Sequence, residues 1–124
     1  MGLRKIMIVE DEFIVGLDLV ETAQDLGFHA EGPFASVREA TAATDTLIPD
    51  AAILDVQLED GEVYPLADKL TRMGVPIIFH SGHAHPRELA ERYPASLTCG
   101  KPCSPAVMIN MLQLAMQDNS PVQT

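Results

Sequence analysis

The sequence predicts one α/β domain, a doubly wound, five-stranded parallel sheet of strand order 2-1-3-4-5 with helices on both faces. Three observations carry this. The chain has 124 residues, the length of a single domain. Short apolar runs alternate along it with longer amphipathic segments, which implies a parallel sheet covered on both sides. Acidic, hydroxyl and basic residues stand just behind the apolar runs, where such sheets form their binding crevice.

The elements follow in order. Leu3 to Val9 reads as a strand, with β-branched Ile6, Ile8 and Val9. Asp11 or Glu12 opens a helix to about Leu26, and Gly27 stops it. Phe13, Leu17 and Val20 share one stripe of that helix and Val15, Leu19 and Leu26 another, as expected for a helix wedged between a sheet and a neighbour. Phe28 to Glu31 is a short strand broken by Gly32-Pro33. Ser36 with Glu39 forms a capping box for a helix to about Leu47. Ala51 to Leu54 is a strand ending at Asp55, and Glu59-Asp60 reads as a solvated loop. Val63, Leu66, Ala67 and Leu70 mark a helix ending near Gly74. Val75 to Phe79 is the fourth strand, Pro86 to Tyr93 a short helix, and Ser96 to Cys99 the last strand. Ser104 caps a final helix with Val107, Met108, Met111, Leu112 and Ala115 facing the core. The domain is expected to span residues 1–118, with 119–124 a polar tail.

Composition narrows the function. With 47% hydrophobic and 21% charged residues, the chain can bury an ordinary core without staples. The formal net charge is −10 and Lys and Arg are scattered, which argues against direct nucleic-acid binding. No apolar run approaches the ~18 residues of a membrane span, and the N-terminal apolar run is too short for a signal peptide. A cytoplasmic protein with no membrane partner is expected. Cys99 reads as a small buried hydrophobe, and a Cys-x₃-Cys pair is two ligands short of a structural zinc site.

The strand ends gather a distinctive set: Glu10-Asp11, Asp55, His80-Ser81-Gly82 and Gly100-Lys101-Pro102. In the predicted order the first and third strands are neighbours, so three carboxylates converge. At ~4 Å and an effective dielectric of ~20 each like pair costs on the order of 4 kcal/mol, a conflict that a divalent cation relieves. Oxygen ligands favour Mg²⁺ over zinc. An aspartate flanked by a metal, a lysine and a hydroxyl suits phosphoryl transfer through an acyl phosphate.

On Val9-Glu10-Asp11-Glu12, Ile53-Leu54-Asp55, Ser81-Gly82 and Lys101-Pro102, the sequence resembles CheY-like response-regulator receiver domains from about Leu3 to Gln117. The resemblance implies Asp55 as phosphoacceptor, Asp11 as a direct Mg²⁺ ligand and Glu10 as one acting through water. It also implies the backbone carbonyl of Gln57 as a further ligand, Ser81 as the switch hydroxyl, Gly82 as the open entrance and Lys101 as a phosphoryl contact. The Lys101-Pro102 bond is expected to be cis. A histidine kinase or histidine phosphotransfer protein is the implied donor, and an unidentified downstream protein receives the output by contact, since the last helix leaves no room for an output domain. Gly61 to Asp68, Gly74-Val75-Pro76 and Phe79-x-Ser81-Gly82 further resemble single-domain receivers of the Phe-Ala-Thr-Gly type, associated with stress signalling, although His80, Ser81 and His83 depart from that pattern.

Thr98 occupies the position of the usual switch aromatic, and the fourth helix is hemmed by Pro86 and Pro94, so a segment specialised for its partner is expected there. His80, His83 and His85 read as polar residues at a strand end, with a metal or pH-sensing cluster as the sharper alternative. A pseudo-receiver scaffold is the main competing function. An aspartyl-phosphate hydrolase would need a second acid where Val56-Gln57 follows Asp55. A flavodoxin-like flavin protein would need a phosphate-cradling loop where the acidic run stands.

Overall fold

The structure, a computed structural model, describes residues 3–82 and 86–118. Five strands form the parallel sheet: β1 (Lys5–Val9), β2 (His29–Phe34), β3 (Ala51–Leu54), β6 (Ile77–Ser81) and β7 (Leu97–Gly100), in the order β2-β1-β3-β6-β7. A hairpin of β4 (Gln57–Leu58) and β5 (Gly61–Glu62) lies apart, so the main sheet has the predicted 2-1-3-4-5 order. The helices are α1 (Phe13–Asp25), α2 (Val37–Ala43), α3 (Tyr64–Arg72), α4 (Pro86–Arg92) and α5 (Pro105–Asp118).

Strand periodicity divides the core in two, because successive side chains point to opposite faces. Met7, Val9, Leu54 and Phe79 pack with Leu66, Leu70 and Leu89 on one side. Ile6, Ile8, Ile53 and Ile78 pack with Leu19, Ala23, Met108 and Leu112 on the other. The central strands are therefore buried on both faces, which explains their unbroken apolar runs.

Several boundaries differ from the sequence reading for physical reasons. Gly32-Pro33 does not end β2; the strand runs through this cis bond to Phe34, and its register against β1 shifts between Met7 and Val9. Proline is tolerated because β2 is an edge strand and no ladder partner needs its N–H. Gly32 is obligatory there: its φ is +118°, and a Cβ would stand 2.4 Å from the Ile8 carbonyl oxygen. The extension lets the Phe34 carbonyl accept from the Glu10 N–H at 2.9 Å, fixing the first acid of the site. The fourth main strand begins at Ile77 rather than Val75 and continues to Ser81. The helix after Ser36 stops at Ala43, where Thr44 turns the chain, instead of reaching Leu47.

Burial brings further corrections. The Phe13 and Leu17 stripe of α1 faces outward, with Phe13 66% and Ile14 73% exposed; Gly16, Leu19 and Ala23 face the core. A small residue is needed at 16, since a Cβ there would lie 2.6 Å from Pro33 Cβ. On α5, Val107 is exposed and Met116 is buried in its stead. Cys99 and Cys103 form a disulfide, so Cys99 is buried but not free. The tail at 119–124 lies outside the described residues.

Glu59-Asp60 is an exposed turn, as expected, and Asp60 in addition caps a helix. Its Oδ1 accepts from the Val37 N–H at 2.7 Å and its Oδ2 from the Arg38 N–H at 3.1 Å, while Ser36 Oγ accepts from the Glu39 N–H at 3.0 Å. The β4–β5 hairpin thus carries a carboxylate to the N-terminus of α2, where exposed amides favour an anion. The Val37 amide is the largest cause of a depressed Asp60 pKa. A carboxyl with a lowered folded pKa contributes stability above its unfolded value and loses it as pH falls through the folded one. Asp60→Ala is therefore expected to lower the urea unfolding midpoint at about pH 7, with the difference from the parent shrinking as the pH falls below the ordinary Asp value of about 3.9. Denaturation at a series of pH values checks this.

Candidate functional site

The strand order decides what meets at the carboxyl edge of the sheet. Val9 and Leu54 are in register and the Asp55 N–H donates to the Val9 carbonyl at 2.9 Å, so the residues after β1 and β3 lie side by side. On the far side, Ser81 pairs with Gly100, and the Lys101 N–H donates to the Ser81 carbonyl at 3.2 Å. Lys101-Pro102 is cis, as expected.

From β7 the Lys101 ammonium reaches back across the edge. Nζ stands 2.9 Å from Glu10 Oε1, 3.0 Å from Asp55 Oδ2 and 3.0 Å from Glu12 Oε1. It donates hydrogen bonds to Glu10 Oε2, Asp55 and Glu12; its approach to Glu10 Oε1 is an ion contact without hydrogen-bond alignment. Burial works against the charged ammonium, but the hydrogen bonds it donates to Glu10, Asp55 and Glu12 outweigh that and raise the Lys101 pKa. Glu12 was not singled out as a site residue; as the third acid of the run after β1 it could have been.

Glu10 is fully buried, and its pKa is pushed up to about 7. Burial is the main cause and the hydrogen bond with Asp55 adds to it, against the opposing pull of Lys101 and of the Glu12 amide. Carboxylate oxygens of Glu10, Asp11 and Asp55 all lie within 4.8 Å of one another. Asp11 is exposed whereas Asp55 is buried, so the trio opens to solvent on the Asp11 side. An all-oxygen donor set with incompletely neutralised charge fits a hard divalent cation of the Mg²⁺ class. Gln57 adjoins the trio, its N–H donating to Asp55 Oδ1 at 3.3 Å.

His80 is not a polar loop residue. It lies within β6, almost fully buried, with Nδ1 3.8 Å from Glu10 Oε1. Neither ring nitrogen meets a hydrogen-bond partner among the described residues. Burial first, and Lys101 second, lower its pKa and keep the ring neutral. His83 and His85 lie outside the described residues. Ser81 is buried at the end of β6. A Cβ on Gly82 would meet Lys101 Cβ at 3.7 Å, an ordinary contact, so the neighbouring lysine stem leaves space there.

Thr98 is in register with Phe79. The aromatic ring packed on Phe79 belongs instead to Tyr93, at the end of α4, with centroids 5.3 Å apart. Tyr93 donates to Asp68 at 2.6 Å, stacks with Tyr64 at 6.3 Å and carries Arg92, whose guanidinium sits 4.3 Å above Tyr64. Burial, then the Asp68 hydrogen bond, raise the Tyr93 pKa. This aromatic clamp between α3 and α4 was not legible from Tyr64 and Tyr93 as isolated residues.

Removing the ammonium would leave buried carboxylates without their counter-charge. Lys101→Met is expected to cost about 3 kcal/mol of stability at neutral pH without metal. Urea denaturation of the two proteins measures this.

No family model and no curated protein matches the sequence. Solved structures do. The solution structure of the PhyR response regulator receiver domain from Erythrobacter litoralis is 26% identical, with a TM-score of 0.83, 100% of this chain and 98% of that one being covered. A response regulator receiver protein from Sinorhizobium medicae is 23% identical, with a TM-score of 0.86 over 96% and 98% of the two chains. A CheY-like receiver domain protein from Methanospirillum hungatei is 21% identical, with a TM-score of 0.85 over 94% and 96%. With its sheet order, helix placement and acid–lysine edge, the chain is built on the CheY-like receiver fold.

Proposed function

We propose that this chain is a response-regulator receiver that takes a phosphoryl group on Asp55 from a histidine kinase or histidine phosphotransfer protein. The observation that carries the reading is the Lys101 ammonium 3.0 Å from Asp55 Oδ2, beside a carboxylate trio suited to a dication. An Asp55 oxygen attacks phosphorus, and the bond to the donor imidazole nitrogen breaks, the nitrogen keeping the electron pair. Little covalent chemistry is asked of the protein, so positioning and neutralisation supply the catalysis.

Glu10, Asp11, Asp55 and the Gln57 carbonyl would hold Mg²⁺, which when bound supplies positive charge against the incoming phosphoryl oxygens. Lys101 neutralises the other side and contacts a phosphoryl oxygen. Ser81 donates its hydroxyl to the phosphoryl group. The chain acts as a switch that assists its own phosphorylation rather than as an enzyme with a released substrate. The exposed Phe13, Ile14 and Leu17 beside the acids offer the donor an apolar landing surface.

The stress-associated reading is prompted by two PhyR structures among the similar chains, which match this chain as a receiver unit and lend nothing to a single-domain architecture. One is named as an anti-anti-sigma factor from Bartonella quintana, at 22% identity with this chain covering 51% of it. Output through protein contact follows. A pseudo-receiver that never accepts phosphate is the second reading, favoured by Thr98 at the position of the usual switch aromatic.

Incubation with acetyl phosphate followed by intact-mass analysis tests the proposal. A single phosphoryl adduct is expected with Mg²⁺, lost on chelation and absent in Asp55→Asn. An adduct indifferent to Asp55, or none from acetyl phosphate or a phosphorylated donor, would favour the scaffold.

A further inference from the structure

Lys101 sits inside a short covalent ring. Cys99 precedes it in β7, Cys103 follows it, and the two are joined by the disulfide, so Gly100, Lys101 and Pro102 are held at both ends. These are the chain's two cysteines, and no other thiol competes with either. The spacing of four residues closes little chain, so the cross-link constrains this loop far more than it constrains the unfolded state as a whole. The loop is also the one whose ammonium binds Glu10, Asp55 and Glu12.

Reagents can reach the pair from one side. Cys99 is buried and in register with His80, whereas Cys103 is half-buried and lines a cleft of about 650 Å³. Glu12, His80, Lys101 and Met108 line the same cleft, between α1 and the start of α5. Cys103 stands just ahead of α5, on the more exposed side of the pair.

We propose that Cys99 and Cys103 form a reversible dithiol–disulfide couple that sets the position of Lys101 and thereby the rate at which Asp55 is phosphorylated; this rests on the receiver reading above. The oxidant class is a hydroperoxide. The Cys103 thiolate attacks the peroxide oxygen, the O–O bond breaks, and the leaving oxygen takes a proton to depart as water or an alcohol. Cys99, giving up its proton, then attacks the Cys103 sulfenic sulfur; the S–S bond forms and the S–O bond breaks, releasing water. Two thiols are oxidised by two electrons and one peroxide is reduced. A dithiol reductant reverses the change by exchange at the more exposed Cys103 sulfur. The disulfide form holds the Lys101 loop against the acids, and the dithiol form releases it.

The test compares the full chain treated with hydrogen peroxide or with dithiothreitol. N-ethylmaleimide labelling and intact mass count free thiols, and acetyl phosphate with Mg²⁺ gives the phosphorylation rate. Peroxide is expected to abolish both labels and dithiothreitol to restore them. The oxidised form should phosphorylate at least about threefold faster, as expected when a charged group is pre-positioned. Cys103→Ser should keep the rate of the reduced form and ignore peroxide. Equal rates in the two forms, or thiols that peroxide over-oxidises without joining, overturn the proposal. Should Asp55 accept no phosphoryl group in either form, the receiver reading fails, and amide NMR decides the redox proposal alone. Shifts at Glu10, Asp55 and His80 between the two forms support it, whereas changes confined to residues 99–103 overturn it.

Discussion

The ammonium of Lys101 holds the carboxyl edge of this sheet together. It comes from the last strand and ends among acids carried by the first and third, so three strand termini meet on one atom. At ~3 Å and an effective dielectric of ~20 each contact is worth about 5 kcal/mol gross, much of it offset by desolvation of Glu10 and Asp55. One ammonium against Glu10, Asp11, Glu12 and Asp55 still leaves the edge anionic. Burial, more than this imbalance, raises the pKa of Glu10, whereas the uncompensated charge suits the edge to a hard cation.

The scaffold is arranged to keep this edge in place. The glycine in β2 lets the strand continue past a proline and bind the Glu10 amide. Gly16 lets α1 settle against that proline, which brings Glu12 within reach of Lys101. On the opposite face the β4–β5 hairpin caps α2 through Asp60 while Gln57 at its start adjoins Asp55. Fold and site are thus joined by contacts at a few residues, most of them outside the acid–lysine cluster.

Most of the fold was legible because the buried strands are apolar throughout and glycine or proline punctuates them. The strand-end acids, Ser81 and Lys101 were legible because a parallel sheet puts its chemistry at one edge. What escaped depended on partners distant in sequence. Asp60 looks like any loop acid until α2 lies 22 residues away by hydrogen bond. Phe13 and Leu17 satisfy a helical stripe but point outward, because Gly16 and Ala23 define the packed face of α1. Tyr93 beside Phe79 follows from where the end of α4 lies against β6, and the Cys99–Cys103 bond, although it spans only four residues, from how the chain turns between β7 and α5; periodicity reveals neither.

If charge imbalance at this edge is the central constraint, a dication should bind there and depend on Asp11, the member of the Glu10–Asp11–Asp55 trio that faces solvent. Calorimetric titration of Mg²⁺ into the parent chain and Asp11→Asn measures this directly. The account predicts one saturable site in the parent, weakened at least about tenfold, or roughly 1.4 kcal/mol, in the variant. Absence of saturable binding, or equal affinity in both proteins, would contradict it.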